Sequence, residues 1–160
     1  MQKRQRAVNP KGEEKRTPEG EAFGAVAFRV LRLAALITAA GDQLAAPAGQ
    51  SSARWQVLAA AENGPATVAQ IARMLGLARQ SVQRVADLLA DEGLAAYRPN
   101  PEHQRAMLLE LTPRGLGVLA TIQRAQRSWA DRLGAAIGAA DLRRTAAVLD
   151  RVSAALASED

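Results

Sequence analysis

Between positions 67 and 94, apolar residues recur every three or four positions, which is the spacing of one face of an α-helix. The pattern stops at Gly76 and then starts again, and a glycine at such a point commonly supplies the left-handed backbone that ends a helix. Two short helices joined by a tight turn are therefore predicted, and Leu77 is expected to pack inward across this turn. Their apolar faces comprise Val68, Ile71, Ala72 and Leu75 in the first helix and Val82, Val85, Ala86 and Leu89 in the second.

The polar residues of these two helices add a start signal and a candidate binding surface. Thr67 and Gln70 have the spacing of a capping box, in which each side chain satisfies a backbone N–H of the other residue. In the second helix, Gln80, Gln83 and Arg84 lie opposite the apolar face. Amide and guanidinium groups pair with base edges in the major groove of DNA, which suggests a helix-turn-helix. A helical hairpin with a solvated polar face is the alternative.

Two apolar runs after the second helix, LAAYR and AMLLEL, predict a pair of β-strands. In the second run Met107, Leu109 and Leu111 alternate with the intervening positions, as in a half-buried strand. Asn100 and Pro101 favour a turn, so the two runs predict a β-hairpin, either a DNA-contacting wing or a solvated surface hairpin. Its side chains suited to contact phosphate or enter a minor groove are Arg98, His103, Gln104 and Arg105.

The remaining chain is predicted to be helical on both sides of this central segment, residues 51–111. Residues 19–50 form an expected N-terminal dimerisation helix. Residues 112–160 form expected C-terminal dimerisation helices, the first of which begins with Thr112 and Pro113 as its start signal. These flanking helices carry more apolar surface than one small lobe requires, which favours a shared dimer interface over packing within one subunit. The apolar stripe of the first flanking helix comprises Phe23, Val26, Val30, Leu33, Ile37 and Leu44.

Charge is concentrated at the N-terminus. The formal net charge of the 160-residue chain is +5, and residues 1–18 hold six Lys or Arg against Glu13 and Glu14. With almost no apolar residues, this segment is predicted to be a basic flexible tail. Such a tail adds phosphate contacts, or it is solvated and has no role.

Several functional classes are disfavoured by what the sequence lacks. It has no cysteine, so disulfides and thiolate metal sites are excluded. His103 is the single histidine, and no glycine-rich phosphate loop or nucleophile with a nearby base is evident, so no enzyme activity, metal or cofactor is expected. Charges such as Arg29 and Arg32 interrupt the apolar segments, and the N-terminus does not resemble a secretory signal. We therefore expect a cytoplasmic protein without membrane contact.

The order of helix, glycine turn, second helix, hairpin and Thr112-Pro113-Arg114-Gly115 resembles the MarR family of bacterial transcriptional regulators. The resemblance extends over about residues 22–156, and the segments ARQSVQRVADLLADEGL, NPEHQRA and LTPRG carry it. It implies a mainly α fold with a small β-hairpin wing, that is, a winged helix-turn-helix plus a helical dimerisation region. It further implies a homodimer that binds double-stranded DNA with inverted-repeat half-sites. Such proteins are commonly repressors that a small, frequently aromatic effector releases from DNA.

The residues then predicted to contact DNA are Thr67, Arg79, Gln80, Ser81, Gln83 and Arg84, with Arg98, His103, Gln104 and Arg105 in the wing. The sequence departs from the family at two of its positions. Gln104 replaces the first of two arginines that often precede the second wing strand, and Ala78 replaces a helix-capping Ser or Thr.

Effector binding is less well defined by the sequence. Phe28, Arg32 and Trp55 are suited to hold an anionic aromatic molecule, but core packing is the favoured role of the two aromatic residues, so no ligand is named. Two other functions remain open: a winged-helix protein-interaction module with weak or non-specific DNA binding, and an enzyme or carrier built on a helical bundle.

Overall fold

A computed structural model describes residues 16–103 and 105–159. The tail predicted for residues 1–18 therefore lies almost entirely outside the described residues, as does Gln104. The predicted fold class is confirmed: helices dominate, and the strands form one small sheet. In chain order the elements are α1 (Pro18–Ala45), α2 (Ser52–Ala60), β1 (Ala66–Thr67), α3 (Val68–Leu75), α4 (Arg79–Asp91), β2 (Ala95–Arg98), β3 (Leu108–Leu111), α5 (Pro113–Ile137) and α6 (Ala139–Ala157).

The chain divides between Gly41 and Asp42 into two units, and the first contains most of α1. This helix begins with Thr17, whose Oγ1 accepts a hydrogen bond from the N–H of Gly20 at 3.1 Å. Large apolar side chains of α1 are exposed, notably Leu31 at 72%. By length and composition alone, the stretch Pro18–Ala48 could cross a membrane. A helix that protein covers on several sides has the same composition.

The second unit has its core where α2, α3, α4, the sheet and the start of α5 meet. The predicted apolar faces of α3 and α4 lie in this core. Two predictions of burial are wrong, because Leu77 in the turn before α4 is 44% exposed and Met107 just before β3 is 45% exposed. The largest fully buried side chains are Leu58, Ile71, Leu89, Leu94, Leu109, Leu119 and Ile122.

The predicted start and end of α3 are confirmed. Thr67 and Gln70 form a complete capping box at the start of α3. Gly76 ends this helix with φ of 64°, a left-handed conformation that strongly favours glycine. Ala78 precedes α4 and provides no side-chain cap, so α4 begins at Arg79 without the hydrogen bond that a Ser or Thr would supply.

The sheet contains one strand more than the predicted hairpin. All pairs are antiparallel in the order β1-β3-β2, with Ala66 opposite Leu109 and Tyr97 opposite the same residue on the other side. Because β1 has only two residues, it shows no alternating pattern that the sequence could reveal. The β2–β3 hairpin is the wing, and β1 connects it to the start of α3.

A close backbone contact fixes the start of α5 against the end of α4. Thr112 caps α5 as predicted, accepting from the N–H of Gly115 at 3.1 Å and donating its hydroxyl to the carbonyl of Gly93 at 2.8 Å. Gly115 lies directly against the carbonyl of Leu94, where an added Cβ would be 1.9 Å from the oxygen. Only glycine fits this contact.

Candidate nucleic-acid interface

The exposed face of α4 presents long polar side chains from its first turns. Gln80, Ser81 and Arg84 are exposed, and they border one shallow groove together with Gln83 and Asp87. The first turn of α4 contains no acidic residue. This arrangement suits a recognition helix, because such helices contact bases mainly through their N-terminal residues.

A cleft of about 280 Å³ separates this part of α4 from the wing. Thr67, Arg79, Gln83 and Arg105, all predicted to contact DNA, line it together with Tyr97. The structure thus brings residues from α3, α4 and the wing to one surface. Arginines on two sides of the cleft make it a candidate site for a DNA phosphate.

A second, larger cleft of about 540 Å³ shares several of these residues. It brings His103 to the same side as Arg79 and Arg105, and it adds Arg73 of α3, which we did not predict. The sequence contained a signal for Arg73, namely a basic residue at an exposed position in the last turn of α3. Glu102 also lines this cleft, so the charge is not purely positive.

The wing residue Arg98 has an ionic partner within its own hairpin. Its Nε donates to Oε2 of Glu110 on the adjacent strand at 2.9 Å. Both side chains are largely exposed, and such surface pairs contribute only about 0–1 kcal/mol. Breaking this pair to free Arg98 for DNA therefore costs little free energy. Contact between Arg98 and DNA stays a prediction, as does any contact from Gln104.

Gln83 does not simply face solvent as predicted. Its Nε2 donates to Oδ1 of Asp87 at 2.8 Å and to the hydroxyl of Tyr97 at 2.7 Å. The Tyr97 hydroxyl in turn donates to the same Oδ1 at 2.7 Å. Desolvation, followed by the hydrogen bond to Asp87, raises the pKa of Tyr97, so the phenol stays protonated at neutral pH. These bonds join the recognition helix to strand β2 of the wing.

The other end of α4 is held by two arginines from different helices. Arg54 of α2 forms an ion pair with the carboxylate of Glu92, and Arg114 of α5 donates to the backbone carbonyl of Glu92 at 2.7 Å. The hydrogen bond from Arg54 is the largest cause of the lowered pKa of Glu92. The end of the recognition helix is thus attached to α2 and α5.

We predict that an NMR titration will find the pKa of Glu92 below its ordinary value of 4.5 and that Arg54→Met will raise it toward that value. Since folding lowers the pKa of this carboxyl, its stabilising contribution is present above the unfolded pKa and is lost as pH falls through the folded pKa. The control is Arg98→Met, which removes an exposed arginine that pairs with Glu110 instead. An unchanged Glu92 titration in Arg54→Met would contradict the assignment.

The three candidate effector residues differ in how far they are buried. Trp55 packs against the core of the second unit, whereas Phe28 and Arg32 are exposed. The prediction of core packing within one chain is therefore correct for Trp55. It is wrong for Phe28, whose side chain is 68% exposed. Among residues 16–103 and 105–159, no group of three His, Cys, Asp or Glu side chains could hold a metal ion.

Comparisons with known proteins agree with this geometry. The family model described as MarR family matches residues 49–106, which contain α2 to β2 and the wing loop. The chain is 42% identical over 130 residues to an uncharacterized protein of Mycobacterium tuberculosis, strain H37Rv, covering 81% of this chain and 91% of that protein. Because this relative is uncharacterized, it carries no functional information.

Solved structures show the same fold. A crystal structure of a MarR family transcription regulator superposes with a TM-score of 0.76 at 25% identity, covering 89% of this chain and 97% of that one. The transcriptional repressor CouR bound to a 23-mer DNA duplex gives a TM-score of 0.73 at 22% identity, with 87% and 99% covered. CouR from Rhodococcus jostii RHA1 bound to p-coumaroyl-CoA gives 0.71 at 18% identity, with 79% and 90% covered.

Sequence, fold and site geometry therefore lead to one assignment. Members of the matched family are transcription regulators and not enzymes, and the exposed α4 beside a basic cleft and a wing is consistent with DNA binding. The chain belongs to the MarR family of winged helix-turn-helix transcription regulators.

Proposed function

We propose that this protein is a homodimeric, sequence-specific repressor in the cytoplasm that binds double-stranded DNA and is released by a small molecule. The observation that carries the proposal is the exposed N-terminal half of α4, with Gln80, Ser81 and Arg84 beside the basic cleft. A structural neighbour, the repressor CouR, has been solved bound to DNA. In this arrangement α4 enters the major groove and the wing lies along the adjacent backbone.

The exposed face of α4 and the clefts at the wing contribute differently to the proposed DNA binding. Arg84 is exposed on α4, where a guanidinium pairs with guanine through two hydrogen bonds. Arg105 lines both clefts at the wing with Arg79, where it supplies positive charge to phosphates. Base preference therefore originates mainly in α4, and general affinity mainly in the cleft and the wing.

The proposed dimer is supported by apolar surface that one chain leaves uncovered. On α1, Phe28, Leu31 and Leu36 are each more than half exposed. Helix α6 has no buried residue, although Leu142 and Leu156 are large and apolar. A two-fold interface buries such surface on both copies at once, and it also explains why Pro18–Ala48 has the composition of a membrane span. The two recognition helices then contact half-sites about 10 bp apart.

We predict that Arg84→Ala will relax base preference at one position of each half-site, at a cost of about 1–3 kcal/mol on the preferred base. Arg105→Ala should instead weaken binding to all sequences and reduce the slope of log K against log salt by about 0.9 for each lost phosphate contact. The measurement is equilibrium binding to a selected site and to single-base variants at several salt concentrations. Arg151→Ala, which removes an exposed arginine from α6, is the matched control. If neither Arg84→Ala nor Arg105→Ala changes binding, the DNA contact surface is elsewhere.

The effector part of the proposal is supported by a second neighbour. CouR from Rhodococcus jostii has been solved bound to p-coumaroyl-CoA, an aromatic thioester. A ligand that reverses DNA occupancy almost completely must favour the non-binding conformation by about 5.5 kcal/mol. The test is to add aromatic acids and their CoA thioesters to the preformed complex and to measure DNA release. No release by any member of this panel would remove the support for an aromatic effector.

A further inference from the structure

Asp87 is the acidic side chain that borders the shallow groove on the exposed face of α4. It shares this groove with Gln80, Ser81, Gln83 and Arg84, which are predicted to contact DNA. Attraction to phosphates does not account for a carboxylate at this place, because both groups are negatively charged. A carboxylate that faces DNA is favourable only where it meets a hydrogen-bond donor, because it can only accept.

One oxygen of this carboxylate is held by two side chains. The hydroxyl of Tyr97 donates to Oδ1 at 2.7 Å, and Nε2 of Gln83 donates to the same atom at 2.8 Å. Within residues 16–103 and 105–159, no group donates to Oδ2 and no cation forms an ion pair with Asp87. Since the side chain is exposed, Oδ2 remains able to accept a hydrogen bond from DNA.

The other acidic residues of α4 differ from Asp87 in their surroundings. Glu92 pairs with Arg54 at the end of the helix, and Asp91 does not border the groove. Asp87 follows Arg84 by three positions, so it lies about 4.5 Å further along the helix axis. Successive bases of a DNA strand are about 3.4 Å apart along its axis. A helix that places Arg84 against one base pair therefore brings Asp87 to within one or two base pairs of it.

Building on the proposed DNA binding, we propose that Asp87 is a specificity-determining residue whose Oδ2 accepts a hydrogen bond from the N4 amino group of cytosine. Guanine and thymine present carbonyl oxygens in the major groove, and these repel a carboxylate. The amino group of adenine has an acceptor on each side, its own N7 and O4 of the paired thymine, whereas that of cytosine has only O6 of the paired guanine. Asp87 therefore favours cytosine over the other three bases.

Selection of bound duplexes, followed by equilibrium binding to the four base variants at each position, tests this role. The wild-type chain should prefer cytosine to guanine or thymine about tenfold at one position of each half-site, the ordinary gain from a hydrogen bond to a charged group. In Asp87→Ala this preference should disappear, and sites with guanine or thymine there should bind more tightly because the repulsion is removed. A side chain that only stabilised the fold would change binding to all four variants by one factor.

Three further variants complete the test. Tyr97→Phe removes one hydrogen bond to Oδ1 but keeps the carboxylate, so cytosine should still be preferred. Asp91→Ala removes an equal charge one turn further along α4 and should strengthen binding to all four base variants by the same factor. Asp87→Asn keeps the shape and removes the charge, which provides a second route if Asp87→Ala does not fold. Its preference for cytosine should fall to about threefold or less, because a neutral amide oxygen accepts more weakly.

The outcomes separate the role of Asp87 from the proposed DNA binding. Specific binding without a cytosine preference within two base pairs of the position that Arg84→Ala relaxes would overturn the role of Asp87 alone. An Asp87→Ala chain that keeps the preference would do the same. So would a Tyr97→Phe chain that loses it as completely as Asp87→Ala, because the contact between α4 and the wing would then explain both variants. A wild-type chain that selects no specific site would overturn both proposals.

Discussion

Replacing Gly115 by alanine should destabilise the folded protein by about 3 kcal/mol or more, which is a large part of the roughly 5–15 kcal/mol typical of a domain. The new Cβ would lie 1.9 Å from the carbonyl oxygen of Leu94. This oxygen cannot easily retreat, because it accepts from the N–H of Thr112 at 3.1 Å and its residue is buried. Either α5 must move away from the end of α4, or its capped first turn must break.

The neighbouring glycine of the same helix provides the matched control. Apart from its chain neighbours and the nearby backbone of α5, no heavy atom lies within 4 Å of the position where a Cβ on Gly117 would lie. Gly117→Ala should therefore stabilise the protein by about 0.5–1 kcal/mol, the ordinary gain from alanine inside a helix. Denaturant unfolding of both variants at one protein concentration measures the difference. Equal effects in the two variants would contradict the close contact.

Leu31→Glu should raise the dissociation constant of the homodimer by roughly 100-fold or more, because two carboxylates lose hydration in the interface. Leu31 is 72% exposed in the single chain, so a glutamate costs the isolated subunit little. In a two-fold interface the substitution occurs twice, and each unpaired carboxylate loses its hydration on association. Binding to an inverted repeat should weaken strongly as well, because the two recognition helices are then no longer linked.

Analytical ultracentrifugation across a concentration series measures this dissociation. Gln43→Glu adds the same charge at an exposed polar position of α1 and should leave the association unchanged. Circular dichroism establishes whether the helical content of each variant matches the wild type. A Leu31→Glu chain that remains dimeric at the wild-type concentrations would place the interface elsewhere.

Local signals in the sequence were sufficient for the helix ends and the helix-turn-helix. Thr67 with Gln70, and Thr112 with Pro113, act on backbone groups only three or four residues away, so their spacing alone identifies them. Gly76 is likewise explained by its own φ angle. The apolar spacing of α3 and α4 predicted their core residues, because residues three or four positions apart lie on one face of a helix and that face packs into the core.

Features that depend on distant residues were not predictable in this way. Gly115 was visible as part of a motif, but its contact with Leu94 depends on how α5 packs against the end of α4. Strand β1 forms only because Ala66 meets β3 across more than forty residues of chain. The triangle of Gln83, Asp87 and Tyr97 also joins two elements, and sequence spacing shows only its helical half.

The proposed DNA recognition is most directly tested by selecting bound duplexes from a random pool with the purified wild-type chain at physiological salt. We predict recovery of an inverted repeat whose half-sites are about 10 bp apart, as a two-fold pair of α4 helices requires. Recovery of sequences without a shared motif, bound only through salt-sensitive contacts, would contradict sequence-specific repression. That result would favour a winged-helix protein-interaction module.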